Sequence, residues 1–410
     1  MAPYNKKRLY DALIVGAGPA GNLSAHRLAT AGHSVAVLDW RRNIGDKLCT
    51  GIIGRECKEA YPPADDHILR ETASAIIVAP SGRTFTLRKR SPQAYIIDRV
   101  AYVASFAERA RAAGAEYLLG PRVVEIDIGP DEVTVITSLD DRSQTFRARA
   151  LVLASGFGSP LVRMAGIDIS PGGAFMTGSQ AEATITDLVE TRVYLGSRIA
   201  PGSFGWVVPI NGSRALVGLV TRRKLNGHMS DFVSAMRAEG TIGDVVESPQ
   251  RWGIPVRPLV RTYGERMVVI GDAAGLAKPT TGGGIYYALL SGELASKTLG
   301  EALSEGDLSA RRLREYERSW KSVLGKELKI GYFARLMYES LGDRQIEFLL
   351  GQVMSDDIRP ELLDSGEVSF DWHSGFIKRA LAHRTIGRAL RALGPAGLHS
   401  VAGGIRSLAG

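Results

Sequence analysis

The chain of 410 residues reads as an α/β protein, with a Rossmann-type domain interrupted by a mainly antiparallel β-sheet domain and followed by a helical C-terminal region. Three observations predict this. The apolar run LYDALIV at 9–15 passes straight into a glycine turn, Gly16-x-Gly18-x-x-Gly21, with helical spacing behind it. A second strand, glycine turn and helix follow much later, as MVVIGDAAG at 267–275 and then GIYYALLSGELASKTLGEAL. Between them lie short strand-like segments, among them SAIIVAP, FGWVVPI and RALVGLV.

Taken in order, 9–15 is a short apolar run, interrupted only by Asp11, typical of a strand covered on both faces. Helical spacing over 22–31 and the strand HSVAVLD, ending at Asp39, complete a βαβ unit. SAIIVAP, a Ser81-Gly82 turn and RTFTLRKR read as paired strands. Residues 98–113 carry amphipathic helical spacing. RVVEIDI and EVTVITS form a hairpin around Gly129-Pro130, and FRARALVLASG returns as a strand. Strands recur from 167 to 259 with a helix near 229–238, and the chain is largely helical from 308. The expected division is 1–71, 98–166 and 260–303 for the interrupted domain, 72–97 and 167–259 for the inserted sheet, and 304–410 for the helical region.

Composition narrows the function classes. Hydrophobic residues at 45% and charged residues at 23% fit a globular chain that buries its own core. The two cysteines, Cys49 and Cys57, cannot build a disulfide framework and suit a reducing, cytoplasmic setting. A net charge of +8 favours phosphates or acidic surfaces, but nothing beyond charge points to nucleic acid, so no such partner is expected. No run of 18 apolar residues predicts a membrane span. The seven histidines form no HxxH or HExxH, and no metal is expected.

The glycines carry the chemistry. In GAGPAG, Gly16 permits a tight turn, Gly18 lets the backbone approach a pyrophosphate, and Gly21 lets the helix pack on the strand. The free N–H groups of the helix start attract phosphate. Asp39, 23 residues beyond Gly16, stands where a carboxylate binds a ribose hydroxyl. The second site, Gly271-Asp272 and then Lys278-Pro279-Thr280-Thr281-Gly282-Gly283-Gly284-Ile285, is another glycine-rich helix start. A ligand with phosphates at one end and an electron-rich ring at the other would use both sites. The alternative is a plain strand, turn and helix in which Asp272 caps the helix.

Together GAGPAG, Asp39, GDAAG and PTTGGGI resemble the FAD fingerprint of the para-hydroxybenzoate hydroxylase-like superfamily, over roughly residues 9–50, 95–125 and 265–300. The resemblance implies FAD. It assigns Ala20 and Trp40 to the cofactor site with their neighbours, Gly271 and Asp272 to the ribityl chain, and Gly282, Gly283, Gly284 and Ile285 to the flavin ring. A helix start there would stabilise negative charge on the reduced ring. Arg99 matches an arginine that lies along the cofactor; a surface arginine paired with Asp98 is its alternative.

Three stretches are similar to the geranylgeranyl reductase family: RRNIGDKLCTGIIG at 41–54, FGWVVPI at 204–210, and PTTGGGI with its alanine-rich helix. This implies hydrogenation of carbon–carbon double bonds in geranylgeranyl chains of a lipid, quinone, pigment or diphosphate. It places Lys47 and Cys49 at the cofactor and makes Cys49 and Gly51 the catalytic loop. Cys49 would position that loop or a proton beside the flavin, with Lys47 and nearby helix dipoles lowering its pKa. A small buried thiol, as Cys57 is read, is the alternative. Phe204, Trp206 and Pro209 would line an apolar substrate, or else pack as ordinary core. Val208 departs from the family's usual Phe. Ala154-Ser155-Gly156 departs from the superfamily hydroxylases' Ala-Asp-Gly, leaving NADPH or reduced ferredoxin, the latter an electron-donor protein, as the reductant. A monooxygenase or halogenase of the same superfamily and a non-catalytic lipid-binding flavoprotein are the rivals.

At the C-terminal end, Ala382, Ile386, Ala389, Leu390 and Leu393 share one face of a helix over 382–393, with Arg384, Arg388 and Arg391 opposite. Either the apolar face packs on the protein, or the helix lies on anionic lipid and brings the protein peripherally to a membrane.

Overall fold

The computed structural model describes residues 8–140, 142–169, 175–225, 227–355 and 369–392, with the side chains of 389–392 left aside. Leu9–Val15 is the middle strand of a parallel sheet, and Ala12, Leu13 and Ile14 are fully buried. Val35–Asp39 pairs on one side, with Glu116–Leu119 beyond it. Arg142–Leu153 pairs on the other, with Met267–Val269 beyond. Each buried Leu or Ile contributes roughly 1.5–3 kcal/mol, which explains the absence of alternation in these strands. The one acid in the first strand, Asp11, accepts bonds from the Ser34 N–H and Oγ and pairs with Arg149 at 2.9 Å. Burial would raise its pKa, but those partners outweigh burial and hold it low.

The first helix, Pro19–Thr30, starts on Pro19, whose missing N–H costs nothing at that position. The Arg99–Ala112 helix begins with Asp98 accepting from the Ala101 N–H at 3.0 Å.

The inserted domain is a seven-stranded sheet in the order Gln250–Pro255, Phe175–Thr184, Arg214–Thr221, Phe204–Pro209, Thr191–Leu195, Ser74–Val78, Thr84–Arg88. All neighbours are antiparallel except Thr191–Leu195 with Ser74–Val78. Its outer face packs Val207, Val217 and Leu219 against Phe232 and Met236 of the His228–Ala238 helix. Its inner face carries Met176, Trp206, Val208, Val220 and Ile254. Ala94–Ile97, expected in this domain, instead joins Ile52–Gly54 and Ile68–Thr72 in a separate three-stranded sheet.

The helix Ala310–Glu339 ties the two domains together. Its 30 residues span about 45 Å at the usual helical rise. Tyr316 Oη donates to Val269 O at 3.0 Å and Trp320 Nε1 to Thr262 Oγ1 at 2.8 Å in the parallel-sheet domain. Further along, buried Arg335 donates to Pro279 O and Gly202 O, and Tyr338 Oη to Ser203 O.

The helix expected over 382–393 runs over Arg384–Ala392, and Ala382 instead ends a separate helix, Ser374–Ala382, because His383 adopts extended backbone at ψ 128°. Ile386 is buried against Leu87, Met337 and Leu349, while Arg384 and Arg388 are exposed. Leu393 and the side chains of Ala389, Leu390 and Arg391 lie outside the described residues. No helix among the described residues is long and apolar enough to cross a membrane.

Candidate cofactor and substrate site

The first glycine turn has the geometry a pyrophosphate needs. Gly16 sits at φ +115°, and a Cβ there would lie 2.2 Å from Ala154 O. A Cβ on Gly21 would lie 1.9 Å from Gly16 O, so that glycine is demanded by packing alone. Gly18 caps the helix, and a Cβ on it would meet nothing within 4 Å. The space above the helix start is therefore open, as an approaching phosphate requires. Asp39 accepts from the Ala17 N–H at 2.7 Å and the Arg41 N–H at 2.8 Å, which anchors its carboxylate beside that turn. Trp40 is half-exposed beside it, its ring flanked by the guanidinium groups of Arg41 at 4.5 Å and Arg122 at 4.9 Å.

The second fingerprint lies against the first. A Cβ on Gly271 would meet Ala20 Cβ at 3.3 Å, and one on Gly292 would meet Ala20 O at 2.7 Å. The helix Ile285–Glu305 can therefore press on the first helix only through small residues. Asp272 lies between this helix start and the cysteine loop: a Cβ on Gly284 would meet its Oδ1 at 2.8 Å, and Lys47 Nζ donates to its Oδ2 at 2.6 Å. Lys47 thus engages Asp272, not the Cys49 thiol that the sequence suggested. Cys49 Sγ accepts from the Gly51 N–H at 3.5 Å.

Arg99 is not a surface arginine paired with Asp98. It is buried, and its guanidinium donates to Gly45 O and Lys47 O, so it holds the cysteine loop from beneath and leaves Asp98 to cap its own helix. Gly45 and Gly51, at φ +85° and +68°, let that loop press on the same helix start: a Cβ on Gly51 would lie 2.9 Å from Ile97 O. Cys57 is fully buried, and burial pushes its thiol far above the ordinary range.

The inner face of the inserted sheet closes the site. A Cβ on Gly282 would meet Ile254 Cδ1 at 3.1 Å and Met176 Cε at 3.3 Å, so the PTTGGGI turn abuts that face. Trp206 and Trp252 stand edge to face at 6.4 Å, with Phe204 5.9 Å from Trp206. The two indoles lie over Gly218 and Gly178, where a Cβ would come within 2.5 Å and 2.6 Å of their rings. Phe204, Trp206 and Val208 share this face, and strand alternation puts Pro209 on the other with Val207. Thr50 Oγ1 donates to Gln180 Oε1 at 2.8 Å, joining the cysteine loop to the sheet. Ala154-Ser155-Gly156 packs on the phosphate turn, with Ser155 Oγ buried and without a protein partner among the described residues.

Sequence reasoning missed Gln180, Gly178, Gly218, Arg335 and Asp371, whose roles depend on contacts between distant segments. Gly178 and Gly218 are bare glycines within strands, a signal of close approach that could have found them.

A pyridine nucleotide-disulphide oxidoreductase profile matches residues 10–195. The digeranylgeranylglycerophospholipid reductase 2 of Methanopyrus kandleri is 31% identical over 368 residues, covering 85% of this chain and 91% of that one. A geranylgeranyl bacteriochlorophyll reductase-like protein from Thermoplasma acidophilum shares the fold at a TM-score of 0.82, with 24% identity, 95% of this chain and 99% of that one. The halogenase PltM, in complex with phloroglucinol and FAD, shares it at 0.64, with 15% identity, 96% of this chain and 94% of that one.

Proposed function

Because the chain belongs to the geranylgeranyl reductase family of FAD-dependent oxidoreductases, we propose that it hydrogenates carbon–carbon double bonds in the geranylgeranyl chains of a lipid. The observation that carries this reading is the convergence of Lys47, Asp272 and Gly284 where the two glycine fingerprints meet, beneath an aromatic apolar face. When bound and reduced, FAD would supply a hydride to one alkene carbon, returning to its oxidised form, while the other carbon takes a proton.

The chain's own residues do the rest. Gly16 and Gly18 receive the pyrophosphate at a helix start that Ala20 and Gly21 pack in place, Asp39 takes a ribose hydroxyl, and Trp40 flanks that end. Gly271 and Asp272 take the ribityl chain, with Lys47 as the counter-charge and Arg99 holding the loop that carries Lys47. Gly282 to Ile285 present the start of a helix to the ring. Cys49 and Gly51 form the loop beside the reacting carbons, and Cys49 positions that loop or the proton. Phe204 and Trp206 form a wall on which each buried CH₂ of an isoprenoid chain gains roughly 0.8 kcal/mol. Pro209 supports the wall from the opposite face. Electrons enter from NADPH or a reduced ferredoxin. Contact with an anionic membrane would bring the enzyme to its lipid.

The test is anaerobic mixing of dithionite-reduced protein with a geranylgeranyl lipid, followed by mass spectrometry. Added hydrogens are expected, together with their loss or a changed pattern of reduced bonds in Cys49→Ala. No added hydrogen, with oxygen consumed in air, would favour the monooxygenase or halogenase instead.

A further inference from the structure

We propose that Asp371 and Lys278 are positioning residues, a buried pair that sets the spacing between the cysteine loop and the flavin-ring turn; this rests on the reductase reading above. The two segments are far apart in sequence, and one carboxylate touches both. Asp371 is 1% exposed. Its Oδ2 accepts from the Cys57 N–H at 3.0 Å, in the helix that follows the cysteine loop. A Cβ on Gly54, the residue closing that loop, would lie 2.2 Å from the same oxygen, so only glycine admits it. Oδ1 lies 3.4 Å from Lys278 Nζ.

Lys278 in turn belongs to the ring turn. Its N–H donates to Gly283 O at 3.0 Å, and its carbonyl accepts from the Gly282 N–H at 2.8 Å. Its side chain runs beneath the glycines, where a Cβ on Gly283 would meet Lys278 Cε at 2.8 Å. The ammonium also donates to Phe370 O at 2.9 Å. The segment around Asp371 grips the turn a second time, His373 Nδ1 lying 2.5 Å from Thr280 Oγ1. Tyr287 Oη donates to Asp371 O at 3.1 Å, and Glu327 Oε1 accepts from the His373 N–H at 2.6 Å, so the clasp is itself braced.

A buried ion pair is a poor source of stability, because desolvation consumes most of its attraction; its better-attested use is to specify one arrangement over others. Here the arrangement specified is the distance from Cys49's loop to Gly283 and Gly284. Misplacing reacting groups by about 1 Å can cost on the order of 100-fold in rate.

The test uses holoenzyme with Asp371→Asn, Lys278→Met and the double variant. Asparagine keeps an acceptor for the Cys57 N–H, and the double variant leaves no unpaired buried charge, so it reports even where a single change fails to fold. Bound FAD is expected to persist. The flavin midpoint potential should shift, and single-turnover reduction at saturating lipid should fall about 100-fold, with KM moving far less. Cys57 should become open to alkylation. A double variant with wild-type potential, wild-type rate and a protected Cys57 overturns the proposal. So does one that cannot retain FAD, since the pair would then serve the whole fold. If wild-type protein reduces no alkene, the activity reading fails by itself, while potential and Cys57 labelling still decide the clasp.

Discussion

Lys47 Nζ meets Asp272 Oδ2 at 2.6 Å across a separation of 225 residues, closing the cysteine loop onto the second glycine fingerprint. The side chains are 34% and 20% exposed, so the pair is partly screened and contributes little to folding by itself. On the function proposed above, the same two groups would border the ribityl chain of FAD. Lys47→Met is therefore expected to raise the FAD dissociation constant about five-fold, the equivalent of about 1 kcal/mol, with little change in melting temperature. Fluorescence titration of apoprotein measures it. An unchanged constant would mean that the two residues do not share the cofactor.

Two glycines of one motif should behave in opposite ways. Nothing lies within 4 Å of a Cβ on Gly18, so Gly18→Leu should fold as apoprotein and fail to hold FAD. A Cβ on Gly21 would strike Gly16 O at 1.9 Å, so Gly21→Ala should lower stability before affinity is in question. Flavin-to-protein ratios and melts of the two apoproteins check this. Stoichiometric FAD in Gly18→Leu would remove the phosphate from this turn.

Much of this was legible in sequence, for a physical reason. A glycine fingerprint is local: the strand, turn and helix around Gly16 depend on neighbours in the chain, as does the amphipathic helix that Arg99 begins. Partners from distant segments carry no such signal. Lys47 could be placed on a loop, yet its partner Asp272 emerges only when the two fingerprints pack through Ala20 and Gly292. Asp371 sits in a stretch with no helical or strand periodicity, and its meaning comes wholly from Gly54, Cys57 and Lys278. The wheel over 382–393 holds for Ile386, Arg384 and Arg388 within Arg384–Ala392, but it missed the break at His383 that puts Ala382 in the preceding helix.

His373 gives the clasp a pH signature. Burial, and next the charge of Lys278, push its pKa down from 6.5 to about 3. The unfolded chain therefore binds a proton between those values that the folded chain refuses, and stability falls as pH drops through 6.5. By pH 5 the loss from this residue is about 2 kcal/mol. Gln in its place keeps a donor for Phe370 O and an acceptor for Thr280 but does not titrate. His373→Gln should therefore lose less melting temperature than wild type between pH 7 and 5. Parallel curves for the two proteins would mean that His373 is not the group responsible.

Ile386 is 4% exposed and packed against Leu87, Met337 and Leu349, so this part of the C-terminal helices' apolar face is already used by the protein. Ile386→Asp would bury an unpaired carboxylate and should lower the melting temperature. Arg384 and Arg388 remain exposed, and each would contribute about 1 kcal/mol at an anionic surface. Binding carried by arginines alone is Coulombic and should fade as salt shortens the Debye length. Arg384→Gln with Arg388→Gln should then release protein from anionic vesicles at low salt, with folding and FAD intact. Co-sedimentation at two salt concentrations decides it. If wild type and double variant sediment alike, these helices do not meet lipid, and their apolar residues serve packing alone.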